Sequence, residues 1–221
     1  MIWKYIKGIR RLNLKTIYFN FHYFPFSSAI KFPIFVSSRV KLLKTAGTIK
    51  IASKLSPGMI RLGFGDVGIF DQQRSRSIWE HAGQIIFKGP ANLGHGFKLS
   101  VLHSGQLVFG PNFVIVAESA IICHYKINFG ADCLISWDVL IMDTDYHQIL
   151  SDGSRVNPNQ EVIIGNHVWV SCRALILKGA VIPDDCVIGA GTLVSKSLAN
   201  QNSVYAGTPA RQLRANITWR P

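Results

Sequence analysis

The sequence predicts an all-β fold, a parallel β-helix of triangular section with three short strands to a coil. Every sixth residue from Ile164 is aliphatic and β-branched: Ile164, Val170, Ile176, Ile182, Ile188 and Val194. Four places after each of the first five stands a small or compact residue: Val168, Ala174, Ala180, Cys186 and Thr192. A period of six fits neither the 3.6-residue helix nor simple strand alternation. It fits a solenoid in which three sides of about six residues close one coil and identical positions stack.

Each inward Val or Ile contributes roughly 1.5–3 kcal/mol on full burial, so stacked coils form a core that one coil alone cannot. The compact residue sits near the corner, where a larger side chain clashes. Gly165 and Gly189 follow inward aliphatics, where tight turning or close backbone approach favours glycine.

Upstream the pattern continues less regularly. Phe129, Ile135 and Ile141 keep the spacing, with Cys133 and Val139 at the compact position. Phe109, Phe113, Ile115, Ser119 and Ile121 extend it backwards, and an offset near Lys126–Asn128 implies a bulge or short insertion. Weaker pieces at Ile85-Ile86 and Ile60–Gly63 place the solenoid over residues 41–199. Residues 143–161 break the repeat with Asp-Gly, Asn and Pro turn chemistry and read as a loop leaving the solenoid. Long loops inside compact domains are often functional. Residues 200–221 form a C-terminal tail or helix. In residues 1–40, Trp3, Tyr5, Ile6 and Ile9 interleave with Lys4, Lys7, Arg10 and Arg11. This short helical extension either caps the open end of the solenoid or contacts an anionic membrane.

The chain has 221 residues, 48% hydrophobic and 16% charged, an ordered composition with a formal charge of +12. That charge implies anionic partners without choosing among them; zinc-finger, homeodomain and RNP patterns are absent, so no nucleic acid is expected. Cys123, Cys133, Cys172 and Cys186 show no CxxC pair or disulfide framework, which fits buried thiols in a reducing cytoplasm. No stretch approaches the roughly 18 apolar residues of a membrane span, and no signal-peptide pattern opens the chain.

Three stretches resemble the hexapeptide-repeat acyltransferases, in the branch of galactoside, maltose, xenobiotic and capsular-sugar O-acetyltransferases. They are IMDTDYH over 141–147, IGNHVWV over 164–170 and VYAGTPAR over 204–211, and with the repeat they cover about residues 105–214. The resemblance implies a left-handed parallel β-helix (the hexapeptide-repeat solenoid), a homotrimer with intersubunit sites, acetyl-CoA as acyl donor, a saccharide acceptor and no metal.

His147 matches the family's catalytic histidine, and histidine is the usual base for removing a hydroxyl proton near neutral pH. Asp145 either orients His147, as triad carboxylates do, or contacts the acceptor; Asp143 is the second acidic candidate for substrate. Trp169 follows a compact position and is expected to project outward, lining the acceptor site or packing between subunits. Cys172 and Ala190 match positions along the pantetheine arm, and the Cys172 amide is a candidate oxyanion donor. Ser195, Lys196, Arg211 and Arg214 match positions near the adenosine phosphates.

The chain departs from the family in two places. Ser171-Cys172-Arg173 stands where the family commonly has glycine, and Val114–Ala117 lacks the asparagine that often meets the acceptor. Competing readings are N-acetylation of an amino sugar or xenobiotic, a zinc-dependent γ-type carbonic anhydrase using His124, His147 and His167, and a non-enzymatic scaffold.

Overall fold

Backbone hydrogen bonds between coils, not within them, define the architecture. The computed structural model describes residues 13–65, 67–71 and 73–220; the basic stretch around Trp3 and Ile9 lies outside these. The chain is a left-handed parallel β-helix with three flat faces. Among the described residues, face 1 has nine strands, from Ile34–Val36 to the antiparallel last pair Val204–Ala206 and Arg211–Arg214. Face 2 has seven, from Val40–Thr45 to Leu193–Val194, and face 3 has six, from Thr48–Ile51 to Val181–Ile182. The first face-1 strand therefore lies ahead of residue 41, where the sequence placed the start of the solenoid. The end of the chain carries a strand pair in the place of the alternative tail helix.

The repeat positions behave as their spacing demands. Ile164, Val170, Ile176, Ile182, Ile188 and Val194 are each at most 1% exposed, and Val168, Ala174, Ala180, Cys186 and Thr192 are fully buried. The upstream irregularity has a physical cause. Coil-to-coil side-chain partners are 18 residues apart at Asn166 and Asp184, but 20 apart at Asn112 and Asp132 and 22 apart at Gln84 and Gln106. The early strands run to four or five residues where the late ones have two. Longer sides leave room for bulk, and Phe87, Phe109 and Phe129 stack through the core at 5.0 and 5.6 Å.

The corner from face 3 to face 1 turns through left-handed backbone in successive coils, at Asn112, Asp132, His167, Asp185 and Asn202. Asn and Asp are the non-glycine residues that best tolerate this conformation, so the corner is written in the sequence as a ladder of polar residues. A Cβ on Gly165 would run into Asp184, which accounts for glycine there.

The N-terminal end is closed by helix α1 (Leu14–Tyr23), followed by the single turn α2 (Phe26–Ala29). Asn13 caps α1, its side chain accepting from the Thr16 N–H at 2.9 Å. The face that α1 lays on the solenoid combines fully buried Phe19 with two polar side chains. Asn20 donates to the Ile34 carbonyl at 2.7 Å and accepts from its N–H at 3.2 Å. Thr16 does the same for Val36 at 3.1 and 3.0 Å. The two side chains substitute for the strand that the edge Ile34–Val36 lacks, which removes an open template for aggregation.

Beside them, Trp79 Nε1 donates to Tyr23 Oη at 3.3 Å, leaving the Tyr23 hydroxyl proton for His81 Nδ1 at 3.0 Å. This arrangement needs a neutral His81 ring, and burial pushes its pKa from 6.5 down to about 4. The unfolded chain takes up that proton near its ordinary pKa, so the stabilisation is complete above pH ~6.5 and is lost as pH falls towards ~4. We expect unfolding stability to drop by up to ~3 kcal/mol across this window. Urea titrations at closely spaced pH values check this; a flat profile from pH ~7 to ~5 would refute a buried neutral histidine.

Candidate active site

The loop expected to carry chemistry leaves the solenoid at the corner from face 2 to face 3, between the strands Leu140–Met142 and Val162–Ile164. Asp143 marks its start and is fully buried. Its two carboxylate oxygens accept the N–H groups of His124 and Tyr125, both at 2.8 Å, tying the loop to the corner of the preceding coil. The carboxylate points into the fold and presents no free oxygen to a substrate. The loop's far end returns to the same residue, with the Gln160 N–H donating to the Asp143 carbonyl at 3.2 Å.

Two residues on, the backbone tightens into a three-residue turn. The His147 N–H donates to the Asp145 carbonyl at 2.6 Å across Tyr146, whose φ is +59°. A γ-turn of this hand is rare and strained, and such strain persists only where surrounding contacts over-determine it. Those contacts are present. Thr144 Oγ1 accepts the Tyr146 N–H at 3.0 Å, and the Tyr146 ring meets the His124 ring edge-on at 4.6 Å. Buried Asn157 makes three bonds: Nδ2 donates to Asp145 Oδ2 at 2.8 Å and to the His147 carbonyl at 2.9 Å, and Oδ1 accepts the Ile149 N–H at 2.7 Å.

The strained turn presents His147 at the surface, and among the described residues its ring has no hydrogen-bond partner. Asp145 does not orient it. The Asp145 carboxylate is taken by Lys178 Nζ at 2.5 Å and by Asn157, which hold it below the usual carboxylate range. Through Asn157 the carboxylate is tied to the His147 carbonyl at the other end of the turn.

Under the turn lies a polar group that the six-residue pattern did not single out. Ser100 Oγ donates to Glu80 Oε2 at 2.7 Å on face 2, next to His124 and Tyr146. Burial holds the His124 ring below its ordinary pKa and raises Tyr146. The stacking of coils puts His124 and Tyr125 against the loop, through Asp143 and Tyr146.

The remaining candidates are distributed over the other edges. Ser195 and Lys196 lie exposed at the same corner as His147, farther along the solenoid. Cys172 and Ala190 lie at the corner between faces 1 and 2, where the Gly191 N–H donates to the Cys172 carbonyl at 3.0 Å. Arg211 and Arg214 stand exposed on the last strand of face 1. One chain therefore separates the His147 loop from the Cys172 corner by the width of face 2.

Trp169 stands at the outward position of its strand and is half-buried. Its Nε1 donates to Ser136 Oγ at 3.0 Å, and Trp219 from the returning tail lies 6.0 Å away between ring centres. Trp219 itself stacks flat on His167 at 4.3 Å and donates to its carbonyl at 2.8 Å. His167 is held by Asp185 at 2.8 Å at a corner other than that of His124 and His147.

No family model matches the chain. It is 44% identical over 116 residues to a polysialic acid O-acetyltransferase of Neisseria meningitidis, covering 52% of each protein. It is 30% identical over 115 residues to the galactoside O-acetyltransferase of Escherichia coli K12, covering 51% of this chain and 55% of that one. The chain is a hexapeptide-repeat β-helix related in sequence to bacterial O-acetyltransferases. A putative lipopolysaccharide biosynthesis O-acetyl transferase of E. coli K12, WbbJ, is 27% identical over 60% of this chain and 72% of its own length. The solved structure of the polySia-specific acetyltransferase NeuO has a TM-score of 0.53 at 21% identity, over 86% of this chain and 79% of that one, and shows the shared fold. The hexapeptide-repeat chain spans about half the length of the first curated relatives it matches.

Proposed function

We propose that the chain is an acetyl-CoA-dependent O-acetyltransferase that acetylates a saccharide hydroxyl during surface polysaccharide synthesis, with His147 as general base. The observation that carries the reading is the strained, over-determined turn that presents an unpartnered imidazole at the surface, in a chain related to enzymes of that name. In this reaction the free ring nitrogen of His147 takes the acceptor proton as the hydroxyl oxygen attacks the thioester carbonyl. The C–S bond then breaks, and the imidazolium returns the proton to the leaving thiolate. The Cys172 N–H has no partner among the described residues and is suited to the developing oxyanion.

The residues present fit the donor. The Ala190–Gly191 corner is exposed, with open space where a Gly191 side chain would stand, so an extended arm can lie against its backbone. Ser195, Lys196, Arg211 and Arg214 are exposed hydrogen-bonding or cationic groups for phosphates. Because His147 and Cys172 occupy different corners of one chain, a complete site needs a neighbouring copy, which supports a homotrimer with sites between subunits. No helix among the described residues is long and apolar enough to cross a membrane. The proposed location is the cytoplasm, with peripheral contact at an anionic membrane face.

The test is an acceptor screen with radiolabelled acetyl-CoA across nucleotide sugars, lipid-linked oligosaccharides, amines and serine. Label is expected in a base-labile ester on a saccharide. Transfer to amines alone, or to none of these acceptors, refutes the O-acetyl assignment.

A further inference from the structure

Helix α1 carries apolar side chains on both of its sides. Thr16, Phe19 and Asn20 are buried against the solenoid, whereas Leu14, Ile17, Tyr18 and Phe21 project to the opposite side. Leu14 is 85% exposed, and Phe26 and Ile30 of the following turn continue the apolar surface, with Phe26 at 72%. A surface helix of a globular protein ordinarily turns polar residues to water on that side, and a contiguous exposed apolar patch marks an interaction surface.

The charge is segregated to the same end. Residues 1–65 contain twelve Lys and Arg and no Asp or Glu, whereas residues 66–221 contain twelve of each sign. Eight of those twelve, with no Asp or Glu among them, lie in residues 13–65, which form the two helices and the first strands. On the flank of α1 a cleft is lined by Lys15, Arg39, Lys41, Arg74 and Arg76. Lys15 Nζ is partly engaged by the Ser38 and Val40 carbonyls at 2.6 and 2.7 Å, and Arg74 sits 3.8 Å from Asp71.

We propose that this end docks on an anionic lipid bilayer, with the Leu14–Phe26 surface in the interfacial layer and acidic headgroups in the cationic cleft. The two features together choose the occupant. A soluble polyanion would neutralise the cations but leave Leu14, Ile17 and Phe26 in water. A second copy would bring two like-charged ends together. An anionic bilayer takes both the apolar and the cationic surface. The proposal does not depend on the acetyltransferase reading, because it uses neither the His147 loop nor any acyl donor.

The test is co-sedimentation of the full chain with vesicles of phosphatidylcholine containing about a quarter phosphatidylglycerol, beside pure phosphatidylcholine. Binding is expected to the anionic vesicles and to be about tenfold or more weaker to the neutral ones. Leu14→Ser with Phe26→Ser, and separately Arg74→Glu with Arg76→Glu, are each expected to weaken it by a similar factor. Circular-dichroism melting should match wild type; if the paired apolar variant melts lower, Leu14→Ser alone carries the comparison. Unchanged vesicle binding by the apolar variants overturns the proposal. So does tight binding of a soluble polyanion such as heparin with no binding to vesicles, which assigns the basic end to an acidic polymer.

Discussion

Replacing His147 with alanine is expected to lower kcat for acetyl transfer by about 10²–10⁴-fold, the usual worth of a positioned general base. The argument rests on what the ring does not do. It is exposed, and among the described residues it makes no hydrogen bond that folding would miss. Surface substitutions away from special features stay within about 0.5 kcal/mol, so thermal unfolding should be unchanged. The loss should fall on kcat, with KM for acetyl-CoA little altered, since the base acts on the acceptor proton rather than on the donor. Wild-type turnover in a folded His147→Ala protein would remove the base from the mechanism.

How much of this was legible in sequence differs by level. The six inward aliphatics and five compact corner residues of 164–194 could be read because each coil there has one length, so a linear period equals a spatial stack. The same architecture upstream was nearly silent. Coils of 20 and 22 residues shift the register from one turn to the next, and Phe87, Phe109 and Phe129 align only in three dimensions. The boundary at residue 41 failed for a related reason, since Ile34–Val36 is too short to show a period and is completed by Thr16 and Asn20 side chains.

At the candidate site, motif resemblance located the loop but not the division of labour within it. Asp143, Asp145 and His147 look like a chemical trio when written out. In space one carboxylate is a buried clamp, the other pairs with Lys178, and only the imidazole is free. Asn157 and Trp219 carried no signal because each acts through a partner that is distant in sequence. The left-handed φ of Tyr146 is likewise unreadable from a tyrosine, a residue that gives no hint of that conformation.

That division of labour predicts different kinetic outcomes for two neighbours of the base. Asp143→Ala removes the acceptors of two amide N–H groups at a buried corner and is expected to cost about 2–4 kcal/mol of stability. Asn157→Ala removes three bonds of a buried side chain and is expected to cost about 2–4 kcal/mol, and it also releases both ends of the strained Asp145–His147 turn. A displacement of about 1 Å at a reacting group is enough to cost about 10²-fold in rate. Asn157→Ala should therefore lower kcat by about 10–100-fold with KM for acetyl-CoA unchanged. Asn157→Asp keeps the bond from Ile149 but loses both donors, so it should resemble alanine rather than wild type. Chemical denaturation and steady-state kinetics on the three variants separate these roles. If Asp143→Ala proved stable but bound acceptor weakly, its carboxylate would have to face substrate, against the two 2.8 Å bonds that turn it inward.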